Sequence, residues 1–112
     1  SSFQLSKECA LAKRYIDSNY SQNITLDSLA EITHINKFYL AHSFTECVGQ
    51  SPINYLTDRR LEACKELLVS SNLSVAQVAT SVGFSSQSYF SQIFRKKTGM
   101  TPRQYRSRYA RK

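Results

Sequence analysis

Residues 37–55 return fifty positions later. Tyr39 matches Tyr89, Phe44 matches Phe94, Gly49 matches Gly99, Pro52 matches Pro102 and Tyr55 matches Tyr105. Similar types also align, Leu40 with Phe90, Ser51 with Thr101 and Asn54 with Gln104. Upstream the offset falls to 49, where Leu29-Ala30 faces Val78-Ala79, so the second copy carries one extra residue in its turn. A solenoid needs at least about three stacked repeats. Two copies therefore imply a pair of small modules on one spine.

The spacing of apolar residues makes the modules helical. Leu5, Cys9, Ala12, Tyr15 and Ile16 recur at steps of three and four, predicting a first amphipathic helix. Leu26, Leu29, Ala30 and Thr33 predict a short second helix, and Leu40, Phe44 and Cys47 or Val48 a third, stopped by Gly49. Ser51-Pro52 opens a fourth, with serine as cap and proline at the first helical position. This helix is expected from Pro52 to about Val69, roughly 27 Å long. Its apolar residues Ile53, Leu56, Leu61, Ala63, Cys64, Leu67 and Leu68 cover roughly 160°, wide enough to serve both modules. Arg60 points into that arc and reads as a buried, paired structural arginine rather than a ligand contact. Ser70-Ser71-Asn72 ends the helix. Ser74 and Gln77 have capping-box spacing ahead of a fifth helix lined by Val75, Val78, Ala79 and Val82 and ended by Gly83. Phe84 plugs the turn, Tyr89, Phe90, Ile93 and Phe94 mark a sixth helix up to Gly99, and Thr101-Pro102-Arg103-Gln104 caps a seventh.

The expected fold class is therefore all-α: seven helices in two helix-turn-helix subdomains joined by a long linker helix. Residues 1–112 read as one domain, with the first helix-turn-helix at about 25–49, the linker at about 52–69, the second at about 74–99 and the final helix at about 101–110. In each copy a short helix, a turn of about four residues and a second helix follow in order. Ala30 and Ala79 are small where the second helix crosses close above the first, and Leu29/Val78, Leu40/Phe90 and Phe44/Phe94 fix the crossing. Such a second helix can enter the major groove with its N-terminal residues.

Charge points the same way. Residues 1–50 hold four Lys/Arg against five Asp/Glu, whereas residues 51–112 hold eleven against three. From Arg95 to Lys112 there are eight basic residues and no acidic one, a pattern suited to a polyanion. Cys9, Cys47 and Cys64 are odd in number, lack a C-x-x-C pair and read as core residues, not a disulfide framework or zinc site. No apolar run approaches 18 residues and no signal-peptide pattern precedes Lys7, so the expected setting is the cytoplasm, with no membrane contact. An enzyme is not expected. His34 and His42 stand eight apart without a carboxylate placed for a triad or metal site, no phosphate-cradling glycine loop exists, and no cofactor is implied.

The order of segments resembles the AraC/XylS family of bacterial transcription regulators. The resemblance runs from about Leu11 to Arg106. Its most specific stretch is Val78-Ala79, Val82-Gly83-Phe84, Ser88-Tyr89-Phe90-Ser91, Phe94-Arg95-Lys96, Gly99 and Thr101-Pro102-Arg103-Gln104-Tyr105-Arg106. The first copy fits through Leu26-x-x-Leu29-Ala30, Phe44 and Gly49-x-Ser51-Pro52, the linker through Arg60-Leu61 and Leu67-Leu68. His42 departs from the arginine the family often carries there, which bears on base choice and not on fold. The resemblance implies sequence-specific binding of promoter or operator DNA, nucleoid association, RNA polymerase as partner and activation as the outcome. It also implies two recognition helices in successive major-groove segments, and an N-terminal regulatory or dimerisation domain before this chain.

Helical geometry then proposes roles. With Leu40 and Phe44 inward, Phe38, Ala41, His42 and Thr45 face outward; with Phe90, Ile93 and Phe94 inward, so do Gln87, Ser88, Ser91, Gln92 and Arg95. Gln can bond an adenine edge twice, Ser can donate or accept, and Phe38 or Ala41 can pack on a thymine methyl. The expected base readers are Phe38, Ala41, His42, Gln87, Ser88, Ser91 and Gln92. The expected phosphate contacts are Asn36, Lys37, Ser86, Arg95, Lys96, Lys97, Arg103 and Arg106. The rival reading is a protein-interaction or RNA-binding bundle. RNA readers stack unpaired bases on exposed aromatics, whereas most of the thirteen aromatics here fall on core stripes, with Phe38, Tyr109 and Tyr20 the exceptions.

Overall fold

The computed structural model describes residues 6–111. Leu5, assigned above to the first helix, and Lys112 of the basic tail lie outside them. The described residues form seven helices and no strand: α1 (Lys7–Asn19), α2 (Leu26–Thr33), α3 (Lys37–Val48), α4 (Pro52–Ser70), α5 (Val75–Ser81), α6 (Gln87–Thr98) and α7 (Pro102–Tyr109).

Short polar side chains start these helices by satisfying amides that have no intrahelical partner. Ser6 Oγ accepts from the Cys9 N–H at 3.0 Å and Ser51 Oγ from the Asn54 N–H at 3.1 Å. Thr25/Ser28, Ser74/Gln77 and Thr101/Gln104 each close a reciprocal capping box. The recognition helices α3 and α6 stop at Gly49 and Gly99, left-handed at φ 95° and 79°, whose N–H groups bond the carbonyls of Thr45 and Arg95. In α2 the same left-handed stop falls on His34, at φ 60°.

The chain divides inside α4, between Arg59 and Arg60, into two compact units. In the first, α1, α2 and α3 pack on one another around Cys9, Ala12, Ile16, Leu29, Leu40, Phe44 and Leu56. Tyr55 lies edge-on to Phe44, with ring centroids 5.8 Å apart, and its hydroxyl donates to Asp17 at 2.6 Å. Arg59 Nε reaches the same carboxylate oxygen at 3.1 Å, so Asp17 ties α1 to the start of α4.

The second unit buries Leu61, Cys64, Leu68, Val75, Val78, Ala79, Val82, Phe84, Phe90 and Phe94. A file of rings runs through it: Phe84 on Phe90 at 5.2 Å, Phe90 on Phe94 at 5.6 Å and Phe94 on Tyr105 at 5.5 Å. Fully burying one such side chain stabilises by about 1.5–3 kcal/mol, so these rings hold α6 against α5 and α7.

Two expectations for α4 need correction. Ile53, placed on the apolar arc, is 41% exposed, because its first-turn face meets solvent. Arg60 is half-buried rather than enclosed: its guanidinium stacks over Phe84, 5.8 Å from the ring centroid, and burial lowers its pKa.

Candidate nucleic-acid interface

Each unit presents one helix whose inner side is anchored and whose outer side is open. In α3 the anchors are Leu40 and Phe44, and His42 lies diametrically opposite them at about 100° per residue. Phe38 (71% exposed), His42 and Thr45 share the open side, and Ala41 is half-buried at its margin. In α6 the anchors are Phe90 and Phe94. Gln87, Ser88, Gln92 and Arg95 are exposed, while Ser91 is half-buried at the position equivalent to Ala41. The structure thus gathers Phe38 and His42 on one face of α3 and Ser88 and Gln92 on one face of α6, with Ala41 and Ser91 at the margins. Gln87, the first residue of α6, is exposed but turned about 140° from Gln92, toward the side of Phe90.

The predicted phosphate contacts divide into four groups. Asn36 and Ser86 are the N-caps of the two recognition helices. Asn36 Oδ1 accepts from the Phe38 and Tyr39 amides at 2.8 and 3.3 Å, and Ser86 Oγ from the Tyr89 amide at 3.2 Å. Their oxygens serve their own helices, leaving the Asn36 amide hydrogens and the Ser86 hydroxyl hydrogen to donate outward. Lys37 forms an ion pair with Asp27 at 3.1 Å and lies over the Phe38 ring. Arg95, Lys96, Lys97 and Arg103 are exposed, the first three in the last turn of α6.

Arg106 departs from its expected role. Its Nε donates to the Leu68 carbonyl at 2.8 Å, and its Nη2 is buried without a partner, so its guanidinium serves the C-terminal end of α4. Arg111 likewise folds back, its guanidinium forked onto Glu66 at 2.9 and 3.3 Å. The basic tail is thus partly spent on structure, and among the described residues its exposed charge outside these two contacts lies on Arg95, Lys96, Lys97, Arg103 and Arg108.

Sequence reasoning missed three residues on these faces. Glu46 projects from α3 and pairs with His42 at 3.2 Å, placing a carboxylate on the open side of the first recognition helix. The i,i+4 spacing was the available signal. Tyr39 and Tyr89 were not among the expected aromatic exceptions, yet they are 63% and 51% exposed. The repeat was their signal, although it does not by itself separate core from surface. Tyr20, conversely, packs half-buried against the first core with the Arg59 guanidinium over its ring.

The arrangement of two helix-turn-helix units has close counterparts among known proteins. A helix-turn-helix domain family matches residues 29–108, most of the chain. The C-terminal domain of AraT, a response regulator from Geobacillus stearothermophilus, superposes with a TM-score of 0.93 at 36% identity, over 97% of this chain and 91% of that one. This chain belongs to the AraC-type helix-turn-helix family. Among curated relatives of the domain, the bifunctional transcriptional activator/DNA repair enzyme AdaA of Bacillus subtilis is 34% identical over 86% of this chain and 46% of its own. The transcriptional regulator YobQ of the same organism is 40% identical, over 83% and 39%. The AraC-type domain thus spans less than half the length of these relatives. The DNA-binding domain of AdpA, solved with a target DNA, matches with a TM-score of 0.88 at 25% identity, over 93% and 94%.

Proposed function

We propose that residues 1–112 act as the sequence-specific, double-stranded-DNA-binding domain of a bacterial transcription regulator, with α3 and α6 each lying in a major-groove segment and the two segments successive. The observation that carries this reading is the duplicated open face: in both units an anchored helix presents short polar or amide side chains where base edges would lie. His42, Gln87, Ser88, Ser91 and Gln92 are the hydrogen-bonding readers, and Phe38 and Ala41 are the thymine-methyl contacts. Arg95, Lys96, Lys97 and Arg103 hold phosphates, assisted by Asn36, Lys37 and Ser86. Arg106 is left out of that set because its guanidinium serves α4.

The second unit supplies most of the non-specific affinity. Its recognition helix ends in three basic residues, whereas the first pairs its one lysine with Asp27 and exposes Glu46. In this reading the domain acts as a binder. A further regulatory domain, RNA polymerase as partner, activation as outcome and a cytoplasmic, nucleoid-associated setting belong to the same proposal. They rest on the family and on the relatives' greater length. No described helix is long and apolar enough to cross a membrane.

Selection of bound sequences from a random duplex library, followed by salt titration of the winner, tests the reading. Two half-elements about one helical turn apart, roughly 34 Å, with a steep salt slope are the expected result. No enriched motif together with salt-insensitive binding would point to a protein-interaction module. Preference for single-stranded RNA over duplex would make it an RNA reader.

A further inference from the structure

Three aromatic positions repeat at the offset of fifty, and two of them have a packing reason. Phe44 and Phe94 are fully buried, and Tyr55 and Tyr105 stand edge-on to them at 5.8 and 5.5 Å. Tyr39 has no such reason, and Tyr89 only a partial one: its ring leans on Phe84, centroids 6.1 Å apart, and its phenol acts electrostatically on Arg60. Each is the third residue of its recognition helix, each is more than half exposed, and among the described residues neither hydroxyl carries a hydrogen bond. By contrast, the Tyr55 hydroxyl is engaged by Asp17. Packing preserves a residue type in a core. It gives no account of a large ring kept in solvent at the same helical position of two copies.

We infer that Tyr39 and Tyr89 grip the DNA backbone, each donating its phenol hydrogen to a phosphate oxygen on the groove wall beside its recognition helix. The inference rests on the proposed DNA reading. At about 100° per residue, Tyr39 and Tyr89 lie about 60° off His42 and Gln92, the residues opposite the buried stripes. A residue at the centre of the open face meets the groove floor and its base edges. A long side chain on the flank leans toward the wall, where the acceptors are phosphate oxygens. Tyrosine suits that place because its rigid ring carries a donor several ångströms from the backbone with few rotors to freeze. The ring of Tyr89 is steadied by Phe84, with centroids 6.1 Å apart.

The flanks differ between units. Two turns beyond Tyr89 on the same side stands the exposed Lys96, and at the equivalent place beyond Tyr39 stands Glu46. A phosphate near Tyr89 is drawn by the lysine, while one near Tyr39 is opposed by the carboxylate. The Tyr89 grip should therefore be the tighter.

Tyr39→Phe and Tyr89→Phe keep the rings and remove only the hydroxyls. The probes are the duplex enriched by the wild-type chain from a random library, a scrambled duplex of equal length, and the enriched duplex carrying single methylphosphonates. Each variant should weaken both unmodified duplexes by the same factor, about 5- to 10-fold for Tyr89 and less for Tyr39. The base preference and the salt slope should stay unchanged, since a neutral donor releases no counterion. At one phosphate per tyrosine, methylphosphonate should weaken the wild-type chain and add nothing to the loss of the variant.

Duplex affinity undiminished in both variants, with the wild-type chain binding normally, would overturn this inference and leave the DNA reading intact. A changed preference at one base pair would make the tyrosine a base reader instead. A lowered melting temperature matching the lost affinity would make it a packing residue. If the wild-type chain enriches no duplex, the DNA reading and this inference fail together.

Discussion

Gly49 and Gly99 offer a measurement of backbone strain free of packing. Both end a recognition helix in the left-handed region, at φ 95° and 79°, and a β-carbon added at either would meet nothing within 4 Å. A Gly→Ala change there therefore adds no clash, and two effects remain. An L-residue in the left-handed region costs roughly 1–2 kcal/mol. Stiffening the unfolded chain returns about 0.4–1 kcal/mol. The expected net loss is about 0.5–1.5 kcal/mol for Gly49→Ala and for Gly99→Ala. Because the two glycines belong to different compact units, the losses should add in the double variant. Urea unfolding followed by far-ultraviolet circular dichroism reads the change as a shifted midpoint at constant slope. His34 bears the same strain at φ 60°, so His34→Gly should raise the midpoint. A single-site loss above about 3 kcal/mol would show that the β-carbon does meet something, and unchanged or higher stability would refute a left-handed stop.

On the DNA side, exchanging Lys96 and Lys97 for Glu should weaken binding to every duplex and flatten the salt dependence by about one unit for each phosphate no longer neutralised; weakening confined to one cognate site would remove both from the phosphate set. Gln92→Ala should cost roughly 1–3 kcal/mol at one base pair, and a base preference unchanged in repeated selection would exclude Gln92 as a reader. Burial, and then the hydrogen bond to Asp17, raise the pKa of Tyr55, so the folded state holds the phenol proton more tightly than the unfolded state. Stability from that group is intact below about pH 10 and declines above it. Tyr55→Phe should lose about 1–2 kcal/mol at neutral pH and show a shallower alkaline decline than wild type, and parallel pH profiles would contradict the linkage. Burial pushes the Cys64 thiol up to about 12, so Cys64 should resist alkylation in the folded protein and react on unfolding; rapid labelling of the native chain at that residue would contradict its enclosure.

The helices and their order were legible in the sequence because their signals are local. Capping boxes at Ser74 and Thr101, stops at Gly49 and Gly99 and apolar steps of three and four each act within a few residues. The repeat added what locality lacks, namely that two stretches must adopt the same fold. The outward faces of α3 and α6 followed from knowing which side Leu40, Phe44, Phe90 and Phe94 occupy.

Tertiary structure decided which groups are already engaged. Arg106 and Arg111 look like their basic neighbours in the chain, yet their partners, Leu68 and Glu66, stand 38 and 45 residues away, beyond any local pattern. Asn36 and Ser86 became caps, since their oxygens lie within reach of their own helices' first amides. Tyr39 and Tyr89 show the same limit from the other side. Residue type marks a ring as apolar bulk, and only the packing around it shows whether neighbours bury that bulk or leave it in solvent. The sequence by itself thus determined seven helices in two related units, because hydrophobic periodicity and capping are short-range. The identity of the charges and hydroxyls left free to meet a ligand was decided by folding, because an ion pair or a buried ring depends on residues that only folding brings together.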